Sequence, residues 1–92
     1  MKFSFIVPAY CAEKTVARCL DSFLMQTYEN WEAIVVDDGS KDSTFQIMEA
    51  YARKDSRIKI FAHSNRGPGL TRNAAMDKAS GDFFCFTDSA EG

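Results

Sequence analysis

Three mostly apolar runs cross the chain without a regular polar alternation, the first interrupted only by Ser4. Residues 3–7 (Phe-Ser-Phe-Ile-Val) end at Pro8, residues 33–36 (Ala-Ile-Val-Val) at Asp37-Asp38, and residues 83–86 (Phe-Phe-Cys-Phe) at Thr87-Asp88. Runs of this kind fit strands buried on both faces, as in a parallel sheet covered by helices. A shorter run at 58–61 reads as a further strand. Between them the period changes to that of a helix. In 13–26, Val16, Cys19, Leu20, Phe23 and Leu24 form one apolar face at i, i+3, i+4, i+7 and i+8. A second helix starts near Ser43, with Thr44, Ile47, Met48 and Tyr51 on one side and Asp42 or Ser43 as its cap. After the turn Gly67-Pro68-Gly69, an alanine-rich helix runs over 70–79, and Gly81 reads as its C-terminal cap. The order βαβαβαβ, with right-handed crossovers, predicts an α/β fold built on an open, mostly parallel, doubly wound sheet. The first, second and fourth strands are expected at its centre.

Composition narrows the chemistry. The chain has 92 residues, 46% of them hydrophobic, enough for one domain with a core. A net charge of −2 makes no electrostatic case for a nucleic-acid or membrane-surface partner. The run at 3–7 is too short, and too soon followed by Pro8, to span a membrane or direct secretion. Cys11, Cys19 and Cys85 are odd in number and lack C-x-x-C spacing, which argues against a disulfide framework or a zinc site. Reduced thiols in a cytoplasmic setting are the plain reading. Cys19 lies on an apolar helix face and reads as a small core residue.

Ligands of open parallel sheets bind outside the carboxyl ends of the strands. Tyr10 follows the first strand, Asp37 and Asp38 the second, and Asp88 the fourth. An acidic pair at such a rim suits a base N–H, a ribose hydroxyl or a metal. His63, at the rim of the third strand, reads as a solvated loop histidine. A dinucleotide-binding module would carry G-x-G-x-x-G after the first strand. The loop here is Pro8-Ala9-Tyr10-Cys11-Ala12-Glu13, without glycine. A non-catalytic fragment that self-associates through an exposed sheet edge is the other alternative.

Val7-Pro8-Ala9-Tyr10, Gln26-Thr27-Tyr28, Val36-Asp37-Asp38-Gly39-Ser40-Lys41-Asp42, Thr71-Arg72-Asn73 and Phe86-Thr87-Asp88-Ser89 resemble the successive motifs of family 2 glycosyltransferases. The resemblance implies a GT-A fold and transfer of a sugar from a nucleoside diphosphate sugar, most often a UDP-sugar and usually with inversion, to a glycan, lipid or protein acceptor. It implies a nucleotide site of Pro8, Tyr10, Asp37, Asp38, Arg72 and Asp88. Tyr10 resembles the residue lying against the base, and Asp38 the carboxylate that accepts uracil N3–H; guanine offers comparable donors, so a GDP-sugar also fits. Asp37 either supports Asp38 or faces inward. Arg72 resembles the arginine near the diphosphate, where a guanidinium and a helix N-terminus both favour an anion.

Two departures accompany the resemblance. Asp88-Ser89-Ala90 stands where the family has D-x-D, whose carboxylates hold the ribose and a Mn2+ or Mg2+ ion. Ala90 has no side-chain oxygen and Glu91 is one residue late, so Asp88 is expected to bind metal weakly or not at all. Cys11 replaces the asparagine usual after Tyr10 and reads as a bystander. The family's general base and acceptor site lie beyond D-x-D. Residues 1–92 are therefore expected to form a single nucleotide-sugar-binding domain that stops at that motif, inactive by itself.

Overall fold

The computed structural model describes residues 1–87. Its elements follow the expected order: β1 (Phe3–Ala9), α1 (Val16–Met25), β2 (Trp31–Asp37), α2 (Thr44–Lys54), β3 (Ile58–Ala62), α3 (Pro68–Lys78) and β4 (Phe83–Phe86). All strand pairs are parallel, in the spatial order β3-β2-β1-β4. Successive strands first step outward to β3. The chain then crosses back to the far side of β1, so α3 covers the face opposite α1 and α2.

β2 shows why an unalternating run is needed. Ala33 and Val35 pack with Val16, Leu20, Phe23, Met48 and Tyr51 on one face. Ile34 and Val36 pack with Ile6 and Ala75 on the other. Every β2 residue is buried. Cys19 is half-buried against the first of these clusters, as its place on the helix face requires. The strand extends beyond the apolar run at both ends, because Trp31 and Glu32 pair with Phe3 and Ser4 of β1. Within the described sheet β4 lies at the edge and not at the centre. Its Phe83, Phe84 and Phe86 are exposed, Phe86 by 57%. An all-apolar run thus marks a strand without saying how many neighbours cover it.

Ser43 is the N-cap of α2 but makes no side-chain cap bond; Asp42 before it accepts the Thr44 N–H at 3.0 Å and also the Thr44 hydroxyl. Thr44 Oγ1 in turn accepts the Ala12 N–H at 2.8 Å, and Glu13 accepts the Ser43 N–H at 3.1 Å. The loop after β1 is thereby moored to the start of α2.

Gly81 is not a helix cap. Helix α3 ends at Ala79 in extended backbone, two residues earlier. The glycine serves a close approach instead. Its N–H donates to Ser4 Oγ at 2.8 Å, and a Cβ there would lie 2.4 Å from that oxygen and 2.8 Å from the Lys2 carbonyl. Gly81→Ala should push β4 off β1 and lower stability by roughly 1–3 kcal/mol, the range for overpacking. Thermal unfolding of the two proteins measures it; an unchanged melting temperature would contradict the packing described.

Candidate nucleotide site

Register brings the strand ends to one rim. Ala9 pairs with Asp37, and Asp37 pairs with Ala62. The Asp38 N–H donates to the Ala9 carbonyl at 2.8 Å, and the His63 N–H to the Asp37 carbonyl at 3.1 Å. Tyr10, Asp38 and His63 therefore leave β1, β2 and β3 side by side. A cleft of about 310 Å³ opens there, lined by Pro8, Ala9, Tyr10, Asp38, Asn65, Gly67, Pro68 and Thr71. It lies at the carboxyl ends of the strands, where doubly wound sheets bind ligands.

Asp38 is the hub of this cleft. It is 3% exposed, yet its carboxylate accepts four hydrogen bonds. Oδ1 takes the Arg66 N–H at 2.8 Å and His63 Nε2 at 3.1 Å. Oδ2 takes the Gly67 N–H at 3.1 Å and the Asn65 amide at 3.2 Å. Burial by itself pushes the Asp38 carboxyl up. The Arg66 N–H, the Thr71 hydroxyl, the Gly67 N–H and His63 outweigh it and hold the group below the usual carboxylate range. Arg66 and Gly67 directly precede α3, so the carboxylate already occupies the approach to the helix N-terminus. That positive end, expected to favour a diphosphate, instead faces Asp38.

The loop that supplies these donors is shaped by two glycines with positive φ. Gly67 (φ 98°) begins α3 at the N-cap. Gly39 (φ 75°) follows Asp38, and a Cβ on it would lie 2.8 Å from the Asn65 backbone nitrogen. The β2 corner and the β3–α3 loop fit together because one side has no side chain there.

Asp37 is buried but does not line the cleft. It accepts the Ser40 N–H at 3.3 Å and the Ser40 hydroxyl, which folds the turn. Ser40 Oγ then accepts the Cys11 N–H at 2.7 Å. The sequence left Asp37 either supporting Asp38 or facing inward; it is buried, and its side-chain hydrogen bonds run through Ser40 toward Cys11 and the loop that carries Tyr10, not to Asp38. Cys11 has φ 49°, a left-handed conformation that asparagine tolerates better than other non-glycine residues. The backbone accounts for an asparagine preference at this position without any ligand.

Pro8, Tyr10 and Asp38 are brought together as expected. Arg72 is exposed on α3 outside the cleft lining, with its guanidinium 5.7 Å from the centre of the Phe86 ring. Asp88, and with it the expected metal ligand, lies outside the described residues. Among the described residues no group of three or more His, Cys, Asp and Glu side chains could hold a metal ion. No helix among them is long and apolar enough to cross a membrane.

His63 is not a solvated loop residue. Its side chain is 13% exposed, and Nε2 lies 3.1 Å from Asp38 Oδ1 and 3.0 Å from Thr71 Oγ1. Asn65 and Thr71 also line the cleft; Asn65 carried no signal in the sequence, and Thr71 stood only as the first residue of the Thr71-Arg72-Asn73 motif, without a role. The one available pointer was the Gly67-Pro68-Gly69 turn, which places the residues before it at the rim.

The chain spans about a third or less of the relatives it resembles. The beta-1,3-glucosyltransferase WfgD of Escherichia coli, whose name gives UDP-Glc as its donor, is 44% identical over 88 residues, 94% of this chain and 34% of that protein. The crystal structure of Staphylococcus aureus TarS 1-349 in complex with UDP has a TM-score of 0.89 at 42% identity, over 97% of this chain and 27% of that one. The mannosyltransferase PcManGT of Pyrobaculum calidifontis, in complex with GDP-Man and Mn2+, has a TM-score of 0.81 at 26% identity, over 95% of this chain and 27% of that one. The family model described as glycosyl transferase family 2 matches residues 4–89. With the parallel sheet, the rim cleft and this match over nearly its whole length, the chain belongs to glycosyl transferase family 2 and has its GT-A-like α/β fold.

Proposed function

We propose that this chain is the donor-nucleotide half of an inverting glycosyltransferase that uses a UDP-sugar. One observation carries the reading: a carboxylate, Asp38, and an exposed aromatic ring, Tyr10, line the same cleft at the strand rim. A pyrimidine can lie against the Tyr10 ring, and stacking of this kind is worth about 1–3 kcal/mol per base. Its imide N–H is a donor, and Asp38 is an acceptor held ionised. On the cleft side Oδ2 is held by the exposed Asn65 amide at 3.2 Å, longer than a charge-assisted bond at its best. A base N–H competes with that amide. Pro8 forms the wall, Arg72 is the cation assigned to the diphosphate, and Asp37 supports the Tyr10 loop through Ser40.

In the transfer the acceptor oxygen bonds to the anomeric carbon as the bond to the diphosphate breaks, and a general base takes the hydroxyl proton. No described residue is assigned to that base or to the acceptor, glycan, lipid or protein. Mn2+ or Mg2+ would neutralise the departing diphosphate. The described residues hold no set of ligands for such an ion, and the binding argument uses none.

Calorimetry with UDP, GDP and ADP tests the reading. Adenine has no ring N–H on its pairing edge and presents a lone pair to Asp38, so UDP should bind at least about tenfold more tightly than ADP. A preference for GDP over UDP would keep Asp38 in its role and change the donor. Equal affinities for all three would reject the base site.

A further inference from the structure

We propose that His63 is a positioning residue: through Nε2–H it holds Asp38 Oδ1, so that only Oδ2 is offered to the nucleobase. The inference rests on the nucleotide reading above and adds to it the group behind the carboxylate. The hydrogen bonds assign the proton. The single Thr71 hydroxyl hydrogen goes to the Gly67 carbonyl at 2.8 Å or to the Asp38 carboxylate, so toward His63 the Thr71 oxygen acts as acceptor. Asp38 Oδ1 is also an acceptor. Nε2 therefore faces two acceptors and must itself carry the hydrogen, in the neutral as in the charged ring.

The two carboxylate oxygens then differ. Oδ1 is closed by the shielded His63 ring and the Arg66 N–H. Oδ2 has a backbone donor and the exposed Asn65 amide, and Asn65 lines the cleft. Without the His63 bond Oδ1 keeps the Arg66 N–H, and the carboxylate is held less firmly against rotation about its Cβ–Cγ axis. It then no longer presents one fixed acceptor to a ring lying against Tyr10. The effect falls on base discrimination, because Asp38 is the group proposed to meet the base. Thr71 is fully buried and completes the set: its hydroxyl fixes the Gly67 carbonyl and receives the other branch of the His63 bond.

His63→Gln and His63→Leu separate positioning from mere packing. Glutamine can place an N–H where Nε2 stands; leucine fills the space without a donor. UDP and ADP affinities are measured by calorimetry on all three proteins, with thermal unfolding to verify folding. His63→Leu should weaken UDP about tenfold and leave ADP nearly unchanged, and His63→Gln should restore most of the preference. Loss of UDP and ADP affinity alike in both variants, or a wild-type UDP preference in His63→Leu, would overturn the proposal. A wild-type protein that does not distinguish UDP from ADP would instead overturn the base site itself. Nitrogen-15 NMR of the wild-type imidazole gives a result that needs no variant to fold. The Nε2–H form is expected, with a shift on UDP addition; an Nδ1–H ring would refute the assignment.

Discussion

Replacing Asp38 with alanine is expected to abolish the preference for UDP over ADP and to destabilise the protein at the same time. Both effects have one cause. The carboxylate is the acceptor proposed for the base, and it also anchors the β3–α3 loop through Arg66, Gly67, His63 and Asn65. Losing a hydrogen bond to a charged group costs about 1.5–3 kcal/mol, which is tenfold or more in UDP affinity. In the free protein alanine leaves donors facing an emptied site. Water reaches the exposed Asn65 but not the shielded His63, so a net loss of roughly 2–3 kcal/mol follows. In a domain of this size that lowers the melting temperature by about 10 °C or more. Asp38→Asn separates the two roles, since it keeps the shape and one acceptor oxygen but replaces the other with an amide. It should lose base preference while retaining more stability than alanine. Calorimetry and thermal unfolding on both variants provide the measurements. Full UDP affinity in Asp38→Ala would remove the central residue of the proposed site.

A second large effect is expected at Glu32, which has no part in the cleft. It lies in the middle of the sheet, 1% exposed. Its carboxylate accepts the Ser4 hydroxyl at 2.6 Å, the Ser80 N–H at 2.6 Å and Lys59 Nζ at 3.0 Å, with Lys2 Nζ at 3.4 Å. It thus ties β2 to both its neighbours and to the segment that leads into β4. Burial pushes this carboxyl up, but the Ser4 hydroxyl, the Ser80 N–H and Lys59 outweigh it and hold it at about 2. A carboxyl held below its unfolded value, near 4.3, stabilises the fold fully above that pH and loses the effect as pH falls toward 2. Asp38 is shifted the same way and adds to the loss. Stability should fall between about pH 4.5 and 2, with about 3 kcal/mol of the drop from Glu32. Glu32→Gln should flatten this fall and lower stability at pH 7 by a comparable amount. Urea unfolding across the pH range measures both. An equal acid fall in wild type and Glu32→Gln would show that Glu32 is not its source.

The element order, the parallel sheet and the rim bearing Tyr10 and Asp38 were legible in the sequence. Each depends on local periodicity or on the polar residue that ends an apolar run. A strand covered on both faces, such as β2, has no room for alternation, and its pattern shows this whatever the rest of the chain does. The segment from Asp37 to Thr44 was equally readable, because Gly39, Ser40 and Asp42 act on backbone groups within a few residues.

What the tertiary structure decided depends on contacts between residues distant in sequence. Glu32 stands beside an apolar run with no mark of its own in the sequence; Ser4, Ser80 and Lys59, 28, 48 and 27 positions away, make it a buried hub. His63 reads as a loop histidine until Asp38, 25 positions earlier, meets its Nε2. Gly81 looks like a helix cap because glycine suits one, yet the Lys2–Ser4 backbone beside it is what excludes a side chain. The run at 83–86 predicts a strand, but only the strand order places it at the edge with its phenylalanines exposed. Periodicity reports which face of an element is apolar. Which group sits against that face, and which carboxylate is charged or capped, is decided by pairings that no local pattern encodes.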